Sequence, residues 1–147
     1  MNRPTRRLVI LLVDDDPADV LLISDALQGT GNWRDIRVAG NGDEAVDFLR
    51  QVGRFTKAPR PDVVLLDLNM PGKDGRQVLA EIKADQKLGS IPIVVLSTSG
   101  DPIDIANSYA SLANAYVRKP STLDERTEVV QVIDEFFARI ASLPNAV

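Results

Sequence analysis

The sequence predicts an α/β protein with a doubly wound, five-stranded parallel sheet and five helices. Short apolar runs recur along the chain, and stretches with helical spacing of their apolar residues separate them. The runs show no alternation with polar residues, which is typical of strands covered by helices on both faces. Right-handed crossovers between such strands place them parallel to one another.

Each predicted strand is short and is bounded by polar or turn-forming residues. The run at 8–13, LVILLV, leads directly into Asp14, Asp15 and Asp16, and the run at 63–66 ends at Asp67. The run at 33–39 is a weaker strand prediction than these two. The five predicted strands cover residues 8–13, 33–39, 63–66, 91–96 and 115–117.

The predicted helices begin at recognisable capping residues. Asp16 before Pro17, and Asp101 before Pro102, are typical starts, because a carboxylate accepts hydrogen bonds from free N–H groups and proline suits the first turn. Gly29 is expected to end the first helix. Residues 53–61 show no periodicity and are predicted to form a loop. The predicted helices cover residues 17–29, the stretch from the turn at 40–42 to 53, then 74–87, 102–110 and about 122–141.

Length and composition restrict the possible functions. The chain has 147 residues, so we expect one domain over 1–147, with a core at about 7–141 and no separate output domain. Cysteine and histidine are absent, which excludes disulfides, thiolate zinc sites and histidine-based triads. The net charge of −4 without a basic stripe argues against nucleic-acid binding. No apolar run reaches the roughly 18 residues of a membrane span, so we expect a cytoplasmic protein.

Polar residues follow four of the predicted strands, and the carboxyl ends of parallel strands meet at one edge of a sheet. Asp16 is expected to cap the first helix, which uses one carboxylate of the triplet. A second and third anion facing Asp67 would repel one another unless a cation lay between them. Oxygen ligands without nitrogen or sulfur favour Mg²⁺, so Asp14 and Asp15 are predicted as direct ligands.

Asp67 is the predicted acceptor of a phosphoryl group, because a carboxylate can form an acyl phosphate and the transfer needs positioning and charge neutralisation more than a strong base. Lys119 would supply positive charge and Ser97 a hydrogen bond. The plainer interpretations are a turn aspartate at 67, a surface lysine at 119 and a serine at 97 that bonds its local backbone.

Four segments together resemble the receiver domain of two-component response regulators, over about residues 7–140. They are LLVDDDP at 11–17, LLDLNMPGKDG at 65–75, IPIVVLSTS at 91–99 and AYVRKP at 115–120. The resemblance implies a flavodoxin-like fold with strand order 2-1-3-4-5, an order that also describes a receiver protein long used as an example of this fold. It further implies phosphoryl transfer from a sensor histidine kinase and a surface that switches partner binding.

The resemblance also implies roles for individual residues. Asp67 would be the phosphoacceptor, Asp14 and Asp15 the acidic pair for Mg²⁺, and Lys119 the residue that holds the phosphate. Asn69 would bind the metal through its backbone carbonyl, beside Asp67.

The same resemblance bears on four more residues. Ser97 would be the switch hydroxyl and Tyr116 the switch aromatic, although Tyr116 fits equally well as a half-buried strand residue. The bond between Lys119 and Pro120 would be cis, which is uncommon for X–Pro bonds in general. Thr98 stands where smaller residues are common and is expected to narrow access to the acyl phosphate.

Two further features resemble single-domain regulators that pair with phytochrome-type kinases. These are the long loop at 53–60 and the extended last helix with its tail to Val147. The apolar arc of that helix is wider than one buried face requires, which predicts a homodimer through this helix. A deeply seated helix covered by Leu143 is the alternative. The arc comprises Val129, Val130, Val132, Ile133, Phe136, Phe137 and Ile140.

Two other functions compete with the leading hypothesis. An aspartyl-phosphate hydrolase would need an acidic residue two positions after the nucleophile, where this chain has Asn69. A binding module with a vestigial pocket is disfavoured because no pocket position is lost. Dinucleotide binding is excluded, because the glycines at 29 and 31 end a helix rather than follow a strand. The downstream partner is unknown from the sequence.

Overall fold

Within residues 6–31 and 33–144, which the computed structural model describes, five strands alternate with five α-helices. The predicted fold class is therefore confirmed. The strands are β1 (Leu8–Val13), β2 (Arg34–Ala39), β3 (Val63–Leu66), β4 (Ile93–Ser97) and β5 (Ala115–Arg118). The helices are α1 (Pro17–Gln28), α2 (Gly42–Arg50), α3 (Gly75–Ala84), α4 (Pro102–Ala110) and α5 (Leu123–Glu135).

The strands form one parallel sheet in the order β2-β1-β3-β4-β5, the order that the family resemblance implies. β1 lies between β2 and β3, and Val13 pairs with both Ala39 and Leu66. The last residues of β1 and β3 are thus neighbours. Residues that follow these two strands emerge side by side at the carboxyl edge.

Helices cover both faces of the sheet, which explains the unbroken apolar runs. Leu11 and Val13 of β1 belong to the cluster under α2 and α3, whereas Leu8, Ile10 and Leu12 belong to the cluster under α1 and α5. Successive residues of a strand point to opposite faces, so five of the six positions of this run are buried and Val9 is partly buried.

Helix ends follow local hydrogen bonding, and some differ from the prediction. Asp16 and Asp101 cap α1 and α4 as expected, since their side chains accept from the N–H groups of Ala18 and Ile103. α3 ends at Ala84, three residues earlier than predicted. The Asp85 side chain accepts from the next backbone N–H groups and so competes with helix formation.

The last helix changes form before it ends. α5 gives way to a π-helical turn, Phe136–Ile140, and Ala141 is extended. Asp134, near the end of α5, forms a buried ion pair with Arg34 of β2, with 2.8 Å between Nη2 and Oδ2. The other guanidinium nitrogen donates to the carbonyl groups of Arg6 and Trp33. This pair joins β2 to α5 at the amino edge of the sheet.

The segment predicted as a loop contains a short 3₁₀ turn, Gly53–Phe55, and is otherwise irregular. Phe55 packs on Phe48 of α2, with 5.4 Å between ring centroids, and Arg60 donates to the carbonyl of Lys87. The tail beyond residue 144 lies outside the described residues. Across the described part of the chain, none of the helices has the length and apolar character to cross a bilayer.

Candidate phosphoacceptor and metal site

Three carboxylates meet at the carboxyl edge of the sheet. Asp14 and Asp15 follow β1, Asp67 follows β3, and each offers an oxygen within 4.8 Å of the others. Asp16 is directed to its capping bond with Ala18 and is not part of the cluster. The structure therefore separates the aspartate triplet into two cluster members and one helix cap, as the sequence predicts.

Burial makes this cluster electrostatically costly. Asp14 is buried, and desolvation raises the pKa of its carboxyl despite hydrogen bonds from the Asp16 N–H and from Lys119. Burial raises the pKa of Asp67 to about 6, and the neighbouring charges of Asp14 and Asp15 add to the effect, while Lys119 opposes it. A divalent cation between these carboxylates would relieve the repulsion.

The donor set fits a hard divalent cation. Every side-chain ligand on offer is a carboxylate oxygen, which is the chemistry that Mg²⁺ and similar ions prefer. The Asn69 N–H donates to Asp67 Oδ1 at 3.3 Å, so the loop after β3 folds back onto the Asp67 carboxylate. At Gly75, a Cβ would lie 2.2 Å from the Asp67 carbonyl, so glycine is required for α3 to approach this loop.

Lys119 reaches the cluster from the end of β5. Its Nζ donates to Asp14 Oδ2 at 3.2 Å and to Asp19 Oδ2 at 2.7 Å. Burial alone would lower the pKa of Lys119, but the hydrogen bond to Asp19 and the charges of Asp14 and Asp67 outweigh it and raise that pKa. Lys119 is therefore a cation that contacts Asp14 and interacts electrostatically with Asp67, and its role in holding a phosphate stays a prediction.

The expectation of a cis bond at Lys119–Pro120 is wrong for this structure. No cis peptide bond occurs among the described residues, so this bond is trans. Trans is favoured for X–Pro bonds by about 0.5–1 kcal/mol in the absence of other constraints. In this geometry the Lys119 N–H donates to the Ser97 carbonyl at 2.7 Å, and the Pro120 carbonyl accepts from Arg126 Nε at 2.6 Å.

Sequence reasoning missed two residues of the site, Asp19 and Arg126. Asp19 lies in the first turn of α1 and bridges Lys119 to Arg126, whose Nη1 donates to Asp19 Oδ1 at 2.8 Å. Burial alone would raise the pKa of Asp19, but these two cations hold it below its usual value. The signal in the sequence is an acidic residue one helical turn after the cap Asp16, on a helix that starts at the site.

The predicted switch residues share one neighbour, Ser99. Ser97 is fully buried, and its Oγ accepts from the Ser99 N–H at 3.1 Å. The half-buried Tyr116 donates its hydroxyl to the Ser99 carbonyl at 2.8 Å. Ser99 Oγ in turn donates to Asp104 of α4, and Asp104 accepts from Arg76 of α3. The loop between β4 and α4 thus connects the acceptor site to β5 and to two helices.

Comparison with known proteins agrees with this geometry. Residues 10–131 match the model of the response regulator receiver domain. The chain belongs to this family. Response regulator Rcp1 of Synechocystis is 41% identical over 138 residues, which are 94% of each chain.

Two solved structures resemble this receiver domain closely. The phosphorylated cyanobacterial phytochrome response regulator RcpA is 44% identical, with a TM-score of 0.92 over 95% of this chain and 100% of that one. The Mn²⁺-bound form of Rcp1 is 40% identical, with a TM-score of 0.89 over 94% of this chain and 99% of that one. Receiver domains are signalling proteins, and the acidic cluster of this one suits metal-dependent phosphorylation.

Proposed function

We propose that this receiver domain accepts a phosphoryl group on Asp67 from a histidine kinase, with Mg²⁺ held by Asp14, Asp15, Asp67 and the Asn69 backbone carbonyl. The observation that carries the proposal is the meeting of three carboxylate oxygens within 4.8 Å. When bound, the cation supplies positive charge that offsets the phosphoryl oxygens. A domain of this kind is a phosphoacceptor in signalling rather than an enzyme acting on a separate substrate.

The transfer requires little covalent chemistry from the protein. A carboxylate oxygen of Asp67 attacks phosphorus, the P–N bond to the kinase imidazole breaks, and the imidazole nitrogen keeps the electron pair. Lys119 neutralises one phosphoryl oxygen, and the Ser97 hydroxyl donates to another. Because Ser97 Oγ now accepts from Ser99, its rotation would alter the loop to which Tyr116 is bonded. The signal would then reach the surface of α4, β5 and α5, where a separate downstream partner binds.

The kinase partner is proposed to be of the phytochrome type, and the location to be the cytoplasm. RcpA, the relative with a TM-score of 0.92, is itself a phytochrome response regulator. The likeness covers all of that chain, so it includes the long loop and the last helix as well as the phosphoacceptor site. Phosphotransfer from a purified phytochrome kinase, compared with transfer from an unrelated histidine kinase, tests this assignment.

A homodimer through the last helix is also proposed. Val132, Phe136 and Ile140 are 64%, 47% and 57% exposed and lie four residues apart, on one side of the helix and its π-helical turn. Val132 and Phe136 also border a groove of about 540 Å³ between β5 and the helix. Leu143 packs against the core and lines this groove. Light scattering over a dilution series tests the dimer, and a 16.0 kDa monomer at every concentration contradicts it.

Incubation with acetyl phosphate and Mg²⁺, followed by intact mass measurement, tests the phosphoacceptor. We expect one phosphate adduct in the wild type, none in Asp67→Asn, and a strongly reduced yield with a chelator. An adduct that persists in Asp67→Asn contradicts the assignment to Asp67. A chelator without effect contradicts the role of the metal.

A further inference from the structure

Arg118, the last residue of β5, lies against the loop that follows Ser97 and leads to α4. It pairs with Ser97 in the sheet, and its side chain crosses the backbone of Gly100. A Cβ at Gly100 would lie 2.7 Å from Arg118 Nη1 and 2.8 Å from Cζ. The missing side chain at Gly100 therefore makes room for the guanidinium at this position.

The guanidinium borders a cavity whose lining includes Lys119, the lysine that contacts the acidic cluster. The cavity has a volume of about 420 Å³, and one of its lining residues, Lys119, donates through Nζ to Asp14 of the acidic cluster. Its wall contains three cations, two hydroxyl groups and a proline, and no carboxylate. These residues are Thr98, Arg118, Lys119, Pro120, Ser121 and Arg126.

The three cations differ in how their charge is balanced. Lys119 pairs with Asp14 and Asp19, and Arg126 pairs with Asp19. In the described part of the chain, the Arg118 guanidinium has no hydrogen bond or ion pair. Arg118 thus contributes the unbalanced positive charge of this cavity, on a side chain that is already placed against the loop.

We propose that Arg118 is a recognition residue for the anionic phosphoryl group of the phosphodonor, which it binds in this cavity before transfer to Asp67. The inference rests on the proposed function. A guanidinium presents a planar set of donors that matches phosphoryl oxygens, and a cleft lined by one sign of charge concentrates the opposite charge. The same contact between guanidinium and phosphoryl oxygens can bind a small acyl phosphate or a phosphohistidine. Arg118 takes no part in bond making or breaking.

The experiment measures the rate of phosphorylation against the concentration of acetyl phosphate, in Mg²⁺ buffer at low salt. Arg118→Gln removes the charge at similar length, whereas Gly100→Ala keeps the arginine but displaces its guanidinium. Arg118→Lys retains a charge. Arg54→Gln is the matched control, since it changes the net charge equally on an exposed arginine of the loop at 53–60, which no contact joins to this cavity.

We expect Arg118→Gln and Gly100→Ala to raise the half-saturating concentration of acetyl phosphate about three- to five-fold, the effect of one exposed charge contact. The rate at saturation should stay within about two-fold, and Arg118→Lys should recover most of the loss. The difference in half-saturating concentration between Arg118→Gln and wild type should become smaller at high salt, because salt screens an exposed charge contact. Phosphoramidate, which carries less negative charge at neutral pH, should show a smaller effect.

A second arm separates the two sources of the phosphoryl group. The rate of phosphoryl transfer from a phosphorylated kinase is measured with the same variants. A lower transfer rate in Arg118→Gln extends the role of Arg118 to phosphohistidine. A loss confined to acetyl phosphate limits its role to small donors. The inference is overturned if Arg118→Gln and wild type have the same half-saturating concentration of acetyl phosphate. It is also overturned if Arg54→Gln raises that concentration as much as Arg118→Gln does. Failure of the wild type to be phosphorylated would instead contradict the proposed function.

Discussion

Lys119 at the end of β5 and Asp19 in the first turn of α1 form a buried ion pair, with 2.7 Å between Nζ and Oδ2. This contact is shorter than the 3.2 Å contact of Lys119 with Asp14. The cation that faces the acceptor is therefore held by a helix as well as by the acidic cluster. Asp19 is a positioning residue, because it acts on the site through Lys119.

Asp19→Asn is expected to slow phosphorylation by acetyl phosphate about three- to ten-fold, since Lys119 loses its shorter contact and its fixed position. The free energy of unfolding should fall by about 1–3 kcal/mol, because Lys119 and Arg126 both lose a charged partner. Rates from phosphate-affinity gels and urea denaturation check the two effects. Asp25→Asn, an exposed change on the same helix, should alter neither. An unchanged rate in Asp19→Asn would show that Asp19 serves stability alone.

The acceptor should titrate in an accessible pH range. Asp67 has a pKa of about 6 without metal, so it is increasingly protonated as the pH falls below 6. A bound cation favours the charged form, so Mg²⁺ should move this midpoint to lower pH, and Mg²⁺ affinity should decrease as the pH falls through 6. Carbon-detected NMR of the Asp67 carboxyl, with and without Mg²⁺, measures the midpoint. Identical midpoints would mean that the cation does not contact Asp67.

Asp67→Asn should stabilise the metal-free protein at high pH. The folded-state pKa of Asp67 lies above its value in the unfolded chain, so the carboxyl favours folding less as the pH rises from about 4 to about 6. The shift sets an upper limit of about 3 kcal/mol, and partial exposure reduces the expected gain at pH 8 to about 1–2 kcal/mol. Urea denaturation in chelator at pH 8 and pH 4 tests this. A gain of the same size at both pH values would point to a cause other than ionisation.

Asp134→Asn should destabilise the fold strongly. It leaves the Arg34 guanidinium buried without its carboxylate, which costs about 3–5 kcal/mol in comparable cases. Replacing both partners, Arg34→Met with Asp134→Leu, should recover most of that loss, because no buried charge remains. Urea midpoints of the single and double variants provide the comparison. A double variant no more stable than Asp134→Asn would show that shape at this site matters more than charge.

Ser97→Ala should still accept phosphate while losing the coupling to Tyr116. The hydroxyl of Ser97 is the described contact between the site and Ser99, whose carbonyl accepts from Tyr116. Fluorotyrosine NMR should show a phosphorylation-dependent change for Tyr116 in wild type and in Ser142→Ala, and a much smaller change in Ser97→Ala. The same change in all three proteins would remove Ser97 from the path.

The sequence predicted the acidic cluster well because its determinants are contiguous. An apolar run followed at once by aspartate fixes both the strand and the position of the carboxylate, at Val13–Asp14 and at Leu66–Asp67. The parallel arrangement then brings the two positions together. Local sequence patterns were therefore sufficient to predict most of the fold and the position of the Asp67 carboxylate.

The remaining features depend on contacts that local patterns do not encode. Asp19 and Arg126 are 107 residues apart, and neither position is unusual for its own helix. Asp85 ends α3 through side-chain bonds to two N–H groups, which compete with a helical pattern that continues in the sequence. The trans bond before Pro120 likewise occurs with tertiary hydrogen bonds to Ser97 and from Arg126.

The ion pair of Arg34 and Asp134 also affects how the chain folds during translation. The two residues are 100 positions apart, so Arg34 leaves the ribosome long before Asp134 has been synthesised. Until then the guanidinium has no charged partner at this place, and burial of the edge around β2 is disfavoured. Final closure of the domain must therefore wait until the segment that contains Asp134 has left the exit tunnel, and a nascent chain that exposes only the residues before α5 is an incomplete receiver.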